Sequence, residues 1–288
     1  MINKLVIFGV GLIGGSLALA LREANYCKTV VGCSRNVENL EKAVELGVID
    51  SYSLDPVEAV KGADMILLAV PMGAMASVLS SINGHLEPGA IVTDAGSAKG
   101  SVVAAAKSVF GNIPDYFVPA HPIAGREKSG VEAAIVDLYV DHKVIVTPLP
   151  ETSVEAEQKV TKMWQAAGAH VESMDVETHD QVLAATSHLP HVVAYSLVDT
   201  LSKSDASDAI FQYAAGGFRD FTRIASSDPT MWRDICLENR DAILKSLEEL
   251  QANMQVLHEQ ISASDSDGIM ETFTHAKSVR DAYMKKQS

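Results

Sequence analysis

Short apolar runs recur through the first half of the chain, spaced so that a helix fits between each pair. LVIF (5–8), TVVGC (29–33), MILLAV (65–70), AIVTD (90–94), YFVPA (116–120) and KVIVTP (143–148) read as strands, and 13–24, 36–46 and 72–82 carry helical spacing. Strands that are apolar along nearly their whole length are buried on both faces. Their alternation with helices predicts an α/β fold built on a doubly wound parallel sheet. PLPETS (148–153) combines prolines with a Thr/Ser helix start and reads as a boundary, giving one domain over 1–150 and a second over 151–288. Beyond it the pattern is helical over 154–168 and 176–203, with one short strand, HVESM (170–174), between them. From Ile243 the residues Ile243, Leu247, Leu250, Met254, Leu257 and Ile261 follow a 4-3-4-3-4 spacing. That is an apolar seam on one side of a helix, fit either for packing within its own domain or for a homodimer contact. The final DAYMKKQS is expected to fray.

Charge narrows the possible partners. Lys and Arg number 23 against 37 Asp and Glu, a net charge of −14. Nucleic acid and anionic membrane surfaces are therefore not expected as partners, and any anionic substrate must be gathered by local positive groups. Cys27, Cys33 and Cys236 are odd in number and unpatterned, which fits a reducing compartment and argues against a metal framework. The apolar start is broken by glycines and lacks a basic lead and a small-residue cleavage site. No run reaches the roughly 18–20 apolar residues of a membrane span, so a soluble, cytoplasmic chain is expected.

The first predicted strand runs into Gly9-x-Gly11-x-x-Gly14 and then a helix. At a first strand-to-helix turn this is the signature of dinucleotide binding. Gly9 permits the tight turn, Gly11 admits the pyrophosphate to the backbone, and Gly14 lets helix and strand pack closely. Leu12 and Ile13 between the glycines, and Val70 and Pro71 after MILLAV, are expected to complete the cofactor contacts. A domain that prefers NAD usually ends its second strand with Asp or Glu, on the ribose 2′-hydroxyl. Here that strand ends in GCSRN, placing Ser34 and Arg35 where a 2′-phosphate would sit, so NADP is favoured over NAD.

Three further clusters fall where such a sheet takes its substrate: TDAGSAKG (93–100), AHPIAGREKSG (120–130), and SHLPH (187–191) followed by GFRDFTRIASSDPTMW (217–232). His121 precedes Pro122, which removes the next backbone donor and holds the histidine extended. An imidazole at a strand end suits general acid–base work because it titrates near neutrality. Ser97 is placed to hold that imidazole or to touch the nicotinamide. Arg219 and Arg223, flanked by phenylalanines, offer a guanidinium for a carboxylate. His188 or His191 alone would equally be a packed helix histidine. Together with the nucleotide signature, these residues favour a hydride-transfer enzyme acting on an anionic, hydroxyl-bearing small molecule.

Gly9–Gly14, DAGSAKG, HPIAG with Glu127 two residues on, SHLPH and GFRDFTRIASSDPTMW together resemble the prephenate/arogenate dehydrogenase family of tyrosine biosynthesis, over essentially the whole chain. The resemblance implies a Rossmann domain followed by a helical dimerisation domain. It also implies oxidative decarboxylation of prephenate to 4-hydroxyphenylpyruvate, or of arogenate to tyrosine, without a metal. By the match, His121 resembles the histidine that accepts the proton of the ring hydroxyl, and Ser97 the serine that orients it. Arg223 resembles the arginine on the ring carboxylate, and His188 a substrate-pocket histidine. Glu127 and Asp220 resemble acids at the entrance, and Trp232 a residue near the substrate side chain. No mutase segment or regulatory domain is expected alongside these two. Two other readings stand beside this one: a dehydrogenase of the 3-hydroxyacid type, which would rely on a lysine in the helical domain, and a non-enzymatic dinucleotide sensor, which needs no convergence of His121, Ser97 and Arg223.

Overall fold

A computed structural model describes residues 1–126 and 128–287. The chain opens with β1 (Ile2–Phe8), α1 (Leu12–Glu23), β2 (Cys27–Cys33), α2 (Val37–Glu45), β3 (Ser51–Ser53) and α3 (Pro56–Val60). Next come β4 (Met65–Leu68), α4 (Met75–Ile82), β5 (Ile91–Asp94), α5 (Lys99–Phe110) and β6 (Phe117–Val118). These strands pair in parallel in the order β3-β2-β1-β4-β5-β6, the doubly wound arrangement that the alternating pattern predicts. Side chains alternate along each strand between two cores. Leu5, Ile7, Met65 and Leu67 join α1 on one face, while Val6, Phe8, Ile66 and Leu68 join α3, α4 and α5 on the other.

Two expected strands behave differently from the sequence reading. YFVPA divides at Pro119 into β6 and a separate strand β7 (Ala120–Pro122), and KVIVTP, as β8 (Lys143–Val146), does not join the parallel sheet. After α6 (Val154–Ala166), HVESM forms β9 (His170–Ser173), and the three make a second sheet in the order β7-β8-β9. β7 runs antiparallel to β8 with His121 opposite Ile145, and β8 runs parallel to β9. Pro122 has no N–H to donate, which an edge strand such as β7 tolerates. The boundary expected after residue 150 therefore crosses this sheet. Val160, Met163 and Trp164 of α6 lie in the same core as α1, where Trp164 meets Tyr139 edge-on at 5.2 Å.

From there the chain is helical. The continuous helix expected over 176–203 is interrupted: α7 (Val176–Leu183) and α8 (Leu189–Ser202) are separated by a π turn, Ala184–His188. Leu189 N–H bonds back five residues to the Ala184 carbonyl. Pro190 explains this, because it lacks the N–H that an α-helix would return to residue 186 and its ring crowds that carbonyl. α9 (Ser207–Gln212), α10 (Gly216–Thr222) and α11 (Pro229–Glu238) follow, with α11 capped by the Asp228 side chain on Met231 N–H at 2.8 Å. A second compact unit begins at Asp241 and holds most of α12 (Arg240–Ser262) and all of α13 (Ser266–Gln287). α13 runs helical to Gln287, where the sequence suggested fraying. Within this unit Met254, Val256, Ile261, Met270, Phe273 and Val279 are exposed. No helix among the described residues is long and apolar enough to cross a membrane.

The glycines of the first turn separate by what surrounds them. A Cβ on Gly14 would stand 2.5 Å from the Gly9 carbonyl oxygen and 2.6 Å from Ile7 Cγ2, whereas one on Gly11 meets nothing within 4 Å. Gly14→Ala is expected to destabilise the protein by about 1–3 kcal/mol through overpacking. Gly11→Ala should cost no more than about 1 kcal/mol, for the poorer helix cap. Urea unfolding of both variants checks the contrast.

Candidate active site

Strand order turns back between β1 and β4, and the crevice beyond their carboxyl ends is where such a sheet takes ligands. Gly9 sits there at φ +90°, and a Cβ on it would be 2.3 Å from the Ala69 carbonyl oxygen, so only glycine suits the position. Gly11 precedes α1 with no side chain capping the helix, and Leu12 and Ile13 open its first turn. The amides of that turn and the open space at Gly11 fit a pyrophosphate. Val70 and Pro71 follow β4, with Val70 alongside Gly9. At the end of β2, Ser34 Oγ accepts a hydrogen bond from Asn36 N–H at 3.2 Å, and Arg35 is exposed. Asn36 in turn caps α2 by accepting from Asn39 N–H at 3.0 Å.

The end of β5 holds a buried ion pair between Asp94 and Lys99, both fully enclosed. Asp94 also accepts from Gly96 N–H at 2.7 Å and from Ala120 N–H at 3.1 Å, while Lys99 Nζ donates to the Ala120 carbonyl at 2.7 Å. Both backbone groups of the residue before His121 are thus held by one pair. Burial lowers the Lys99 pKa, against the opposing pull of Asp94. Ser97 lies half-buried in the loop between β5 and α5, and that loop is drawn tight enough that a Cβ on Gly96 would be 2.7 Å from Met72 Sδ.

His121, on β7, is 8% exposed. Its Nδ1 lies 2.9 Å from Nε2 of His179, a residue of α7 that the sequence reading did not single out. The ring contact expected from Ser97 is thus made at Nδ1 by His179, and the Ser97 hydroxyl has no hydrogen bond to another described residue. His179 Nδ1 lies 2.8 Å from Asp180 Oδ1, and Asp180 accepts from the Lys99 and Gly100 N–H groups at 2.7 and 2.8 Å. Those amides belong to the first turn of α5, whose positive end favours a carboxylate. Burial drives the His121 pKa well below its usual value, and His179, Lys99 and His188 nearby add to the effect. Asp180 is held below the usual carboxylate range because its hydrogen bonds outweigh its burial.

The π turn brings His188 to the same place. It is buried, its Nδ1 is 3.1 Å from Asn239 Nδ2, and burial pushes its pKa down to about 4. Asn239 also donates to the Asp180 carbonyl at 2.8 Å. Trp232, buried on α11, meets His188 edge-on at 6.1 Å and stacks on His191 at 3.5 Å. Its indole N–H is buried without a hydrogen-bond partner among the described residues. Arg223, exposed where α10 ends, lies close enough that its charge lowers the His191 pKa further, after burial. Asp220 is exposed on α10, and Glu127 lies outside the described residues. His121, His188, His191, Trp232 and Arg223 thus form one linked series. No described contact joins Ser97 or Asp220 to it. His179, Asp180 and Asn239 went unnoticed because nothing in THD (178–180) or in the lone Asn239 marks them in the sequence.

Comparison with known proteins agrees with this layout. A family model described as the prephenate dehydrogenase nucleotide-binding domain matches residues 17–173, and one described as the prephenate dehydrogenase dimerization domain matches 175–275. The two meet at the end of β9. A cyclohexadienyl dehydrogenase of Zymomonas mobilis is 38% identical over 285 residues, covering 96% of this chain and 95% of the relative. The prephenate dehydrogenase of Bacillus subtilis is 36% identical over 291 residues, covering 100% of this chain and 78% of its own length. Among solved structures, prephenate dehydrogenase from Aquifex aeolicus in complex with hydroxyphenyl propionate and NAD+ superposes with a TM-score of 0.91. It is 38% identical, with 98% of this chain and 99% of that one covered. The chain belongs to the prephenate dehydrogenase family.

Proposed function

We propose that this protein oxidatively decarboxylates prephenate to 4-hydroxyphenylpyruvate, or arogenate to tyrosine, with His121 as the base. The observation that carries the reading is the buried His121 imidazole, anchored at Nδ1 beyond the sheet and close to His188. A bound nicotinamide dinucleotide supplies the hydride acceptor. His121 takes the proton of the ring hydroxyl at Nε2 as hydride departs from the same carbon. The resulting dienone is a vinylogous β-keto acid. Its carboxylate leaves as CO2, the bonding pair enters the ring, and the phenolate so formed recovers the proton from His121. Aromatisation drives this second step, so the residues have only to bind, orient and hold one proton.

Arg223 is assigned to the ring carboxylate, which a guanidinium grips with two parallel hydrogen bonds. His188 and Trp232 line the pocket, and Ser97 is assigned to the substrate hydroxyl. Asp220 and Glu127 are assigned an entrance role only on their resemblance in sequence to the family pattern. His121→Asn should lower kcat by at least about a hundredfold with little change in KM. Arg223→Ala should chiefly raise KM. Steady-state kinetics on both variants tests the assignment, and retention of kcat/KM in both would refute it.

The dinucleotide is assigned as NADP in preference to NAD, because Ser34 and Arg35 stand at the end of β2 with no carboxylate to repel a 2′-phosphate. We expect kcat/KM to be higher with NADP; a large advantage for NAD would sink the assignment.

A homodimer is proposed on two grounds, the family model described as a dimerization domain and the exposed apolar side chains of α12 and α13. Helices with so much exposed apolar surface call for a covering partner. Light scattering should report twice the 30.7 kDa chain mass, and Phe273→Glu should shift it toward the monomer.

A further inference from the structure

Asp180, His179 and His121 form a line of side chains that the chemistry above does not yet use. We propose that His179 and Asp180 are positioning residues that fix the tautomer of His121, keeping its Nδ1 protonated and its Nε2 bare toward the substrate. The inference rests on the reading of His121 as the base.

Asp180 receives two backbone N–H groups from the first turn of α5, so its carboxylate is set as an acceptor. The donor on its remaining contact, 2.8 Å away, must then be His179 Nδ1–H. A neutral His179 with its proton on Nδ1 presents a lone pair at Nε2. The only way to fill the 2.9 Å contact is for His121 Nδ1–H to donate to it. The free nitrogen of His121 is then Nε2, and it is an acceptor. A carboxylate acting through one imidazole in a hydrolase triad does the same work, fixing the tautomer and stabilising the imidazolium that forms. Here the influence passes through two rings. When His121 takes up its proton, Nδ1–H strengthens its bond to His179, whose own donor leans on the Asp180 charge.

The charged and titratable groups around His121 are His179 and Asp180 from α7, Lys99 with Asp94 from the end of β5, and His188 from the π turn. Lys99 and Asp94 neutralise one another, so Asp180 is left to offset the positive charge that arises at His121. A proton misplaced on His121 Nε2 would instead face the hydroxyl donor with a second donor.

The test begins with the unaltered protein. Nitrogen-15 spectra of histidine-labelled enzyme, assigned with His121→Asn, should show neutral His121 protonated at Nδ1. A proton on Nε2 would overturn the proposal without any further variant. His179→Gln keeps an acceptor for His121 and a donor for Asp180, and should retain kcat within about tenfold. His179→Leu fills similar space without either group, and should lose at least about a hundredfold in kcat with KM and dinucleotide affinity within threefold. The base must be neutral to act, so kcat/KM falls on acidification through the His121 pKa, with the wild-type limb below 6.5. Asp180→Asn removes the offsetting charge and should move that limb lower still. Equal losses in His179→Gln and His179→Leu, or an acid limb unmoved in Asp180→Asn, would reduce these residues to scaffolding. Full activity in His121→Asn would instead refute the base assignment itself, so the two failures are distinguishable.

Discussion

Everything at the carboxyl ends of these strands hangs on the Asp94–Lys99 pair. Taking two charges out of water costs several kcal/mol each, and the loss is recovered only where geometry and further hydrogen bonds are good. Here the further bonds are spent on placement. Asp94 fixes the Gly96 amide, which sets the loop carrying Ser97. The pair together holds both polar groups of Ala120, which sets the strand carrying His121. Lys99 also opens α5, whose first turn receives Asp180. Residues from β5, β7 and α7 are thereby referred to one point, and an apolar replacement of similar volume would lose that common reference.

What the sequence disclosed follows the same division between repeating and singular features. Alternating apolar runs and a glycine-spaced turn are periodic signals, and the parallel sheet and its first strand-to-helix turn emerge from them directly. The second sheet was hidden because β8 has the same apolar character as the parallel strands, while β9 is short and largely polar. Pattern alone does not say which neighbour a strand will choose. Pro119 divides one apolar run into two strands with different partners, which is legible only once pairing is known. Among candidate site residues, those inside recognisable strings such as HPIAG and GFRDFTRIA were legible in the sequence. His179 and Asn239 stand alone on helices, and their importance comes entirely from tertiary contacts at 2.8–3.1 Å.

The histidines also show how burial serves a proton-transfer site in an acidic protein. His121, His188 and His191 are each pushed toward the neutral form by burial, and each is pressed further by neighbouring basic side chains. Neutral rings leave Arg223 and the helix ends as the local positive features that gather an anion. They also let Trp232 stack on His191 without enclosing a full charge.

The π turn between α7 and α8 has a rotational consequence. His179 and His188 are separated by nine positions in the chain. In an unbroken α-helix, at about 100° per residue, they would point about 180° apart, one toward His121 and the other away from it. The turn absorbs one extra residue without advancing the spiral, which reduces the divergence to about 80°. Pro190 thus acts as a phase shifter, swinging the downstream helix by roughly a quarter of a revolution so that both imidazoles address the same base. Were Ala184–His188 to relax into regular α-helix with all nine positions kept, the two imidazoles would fall out of phase.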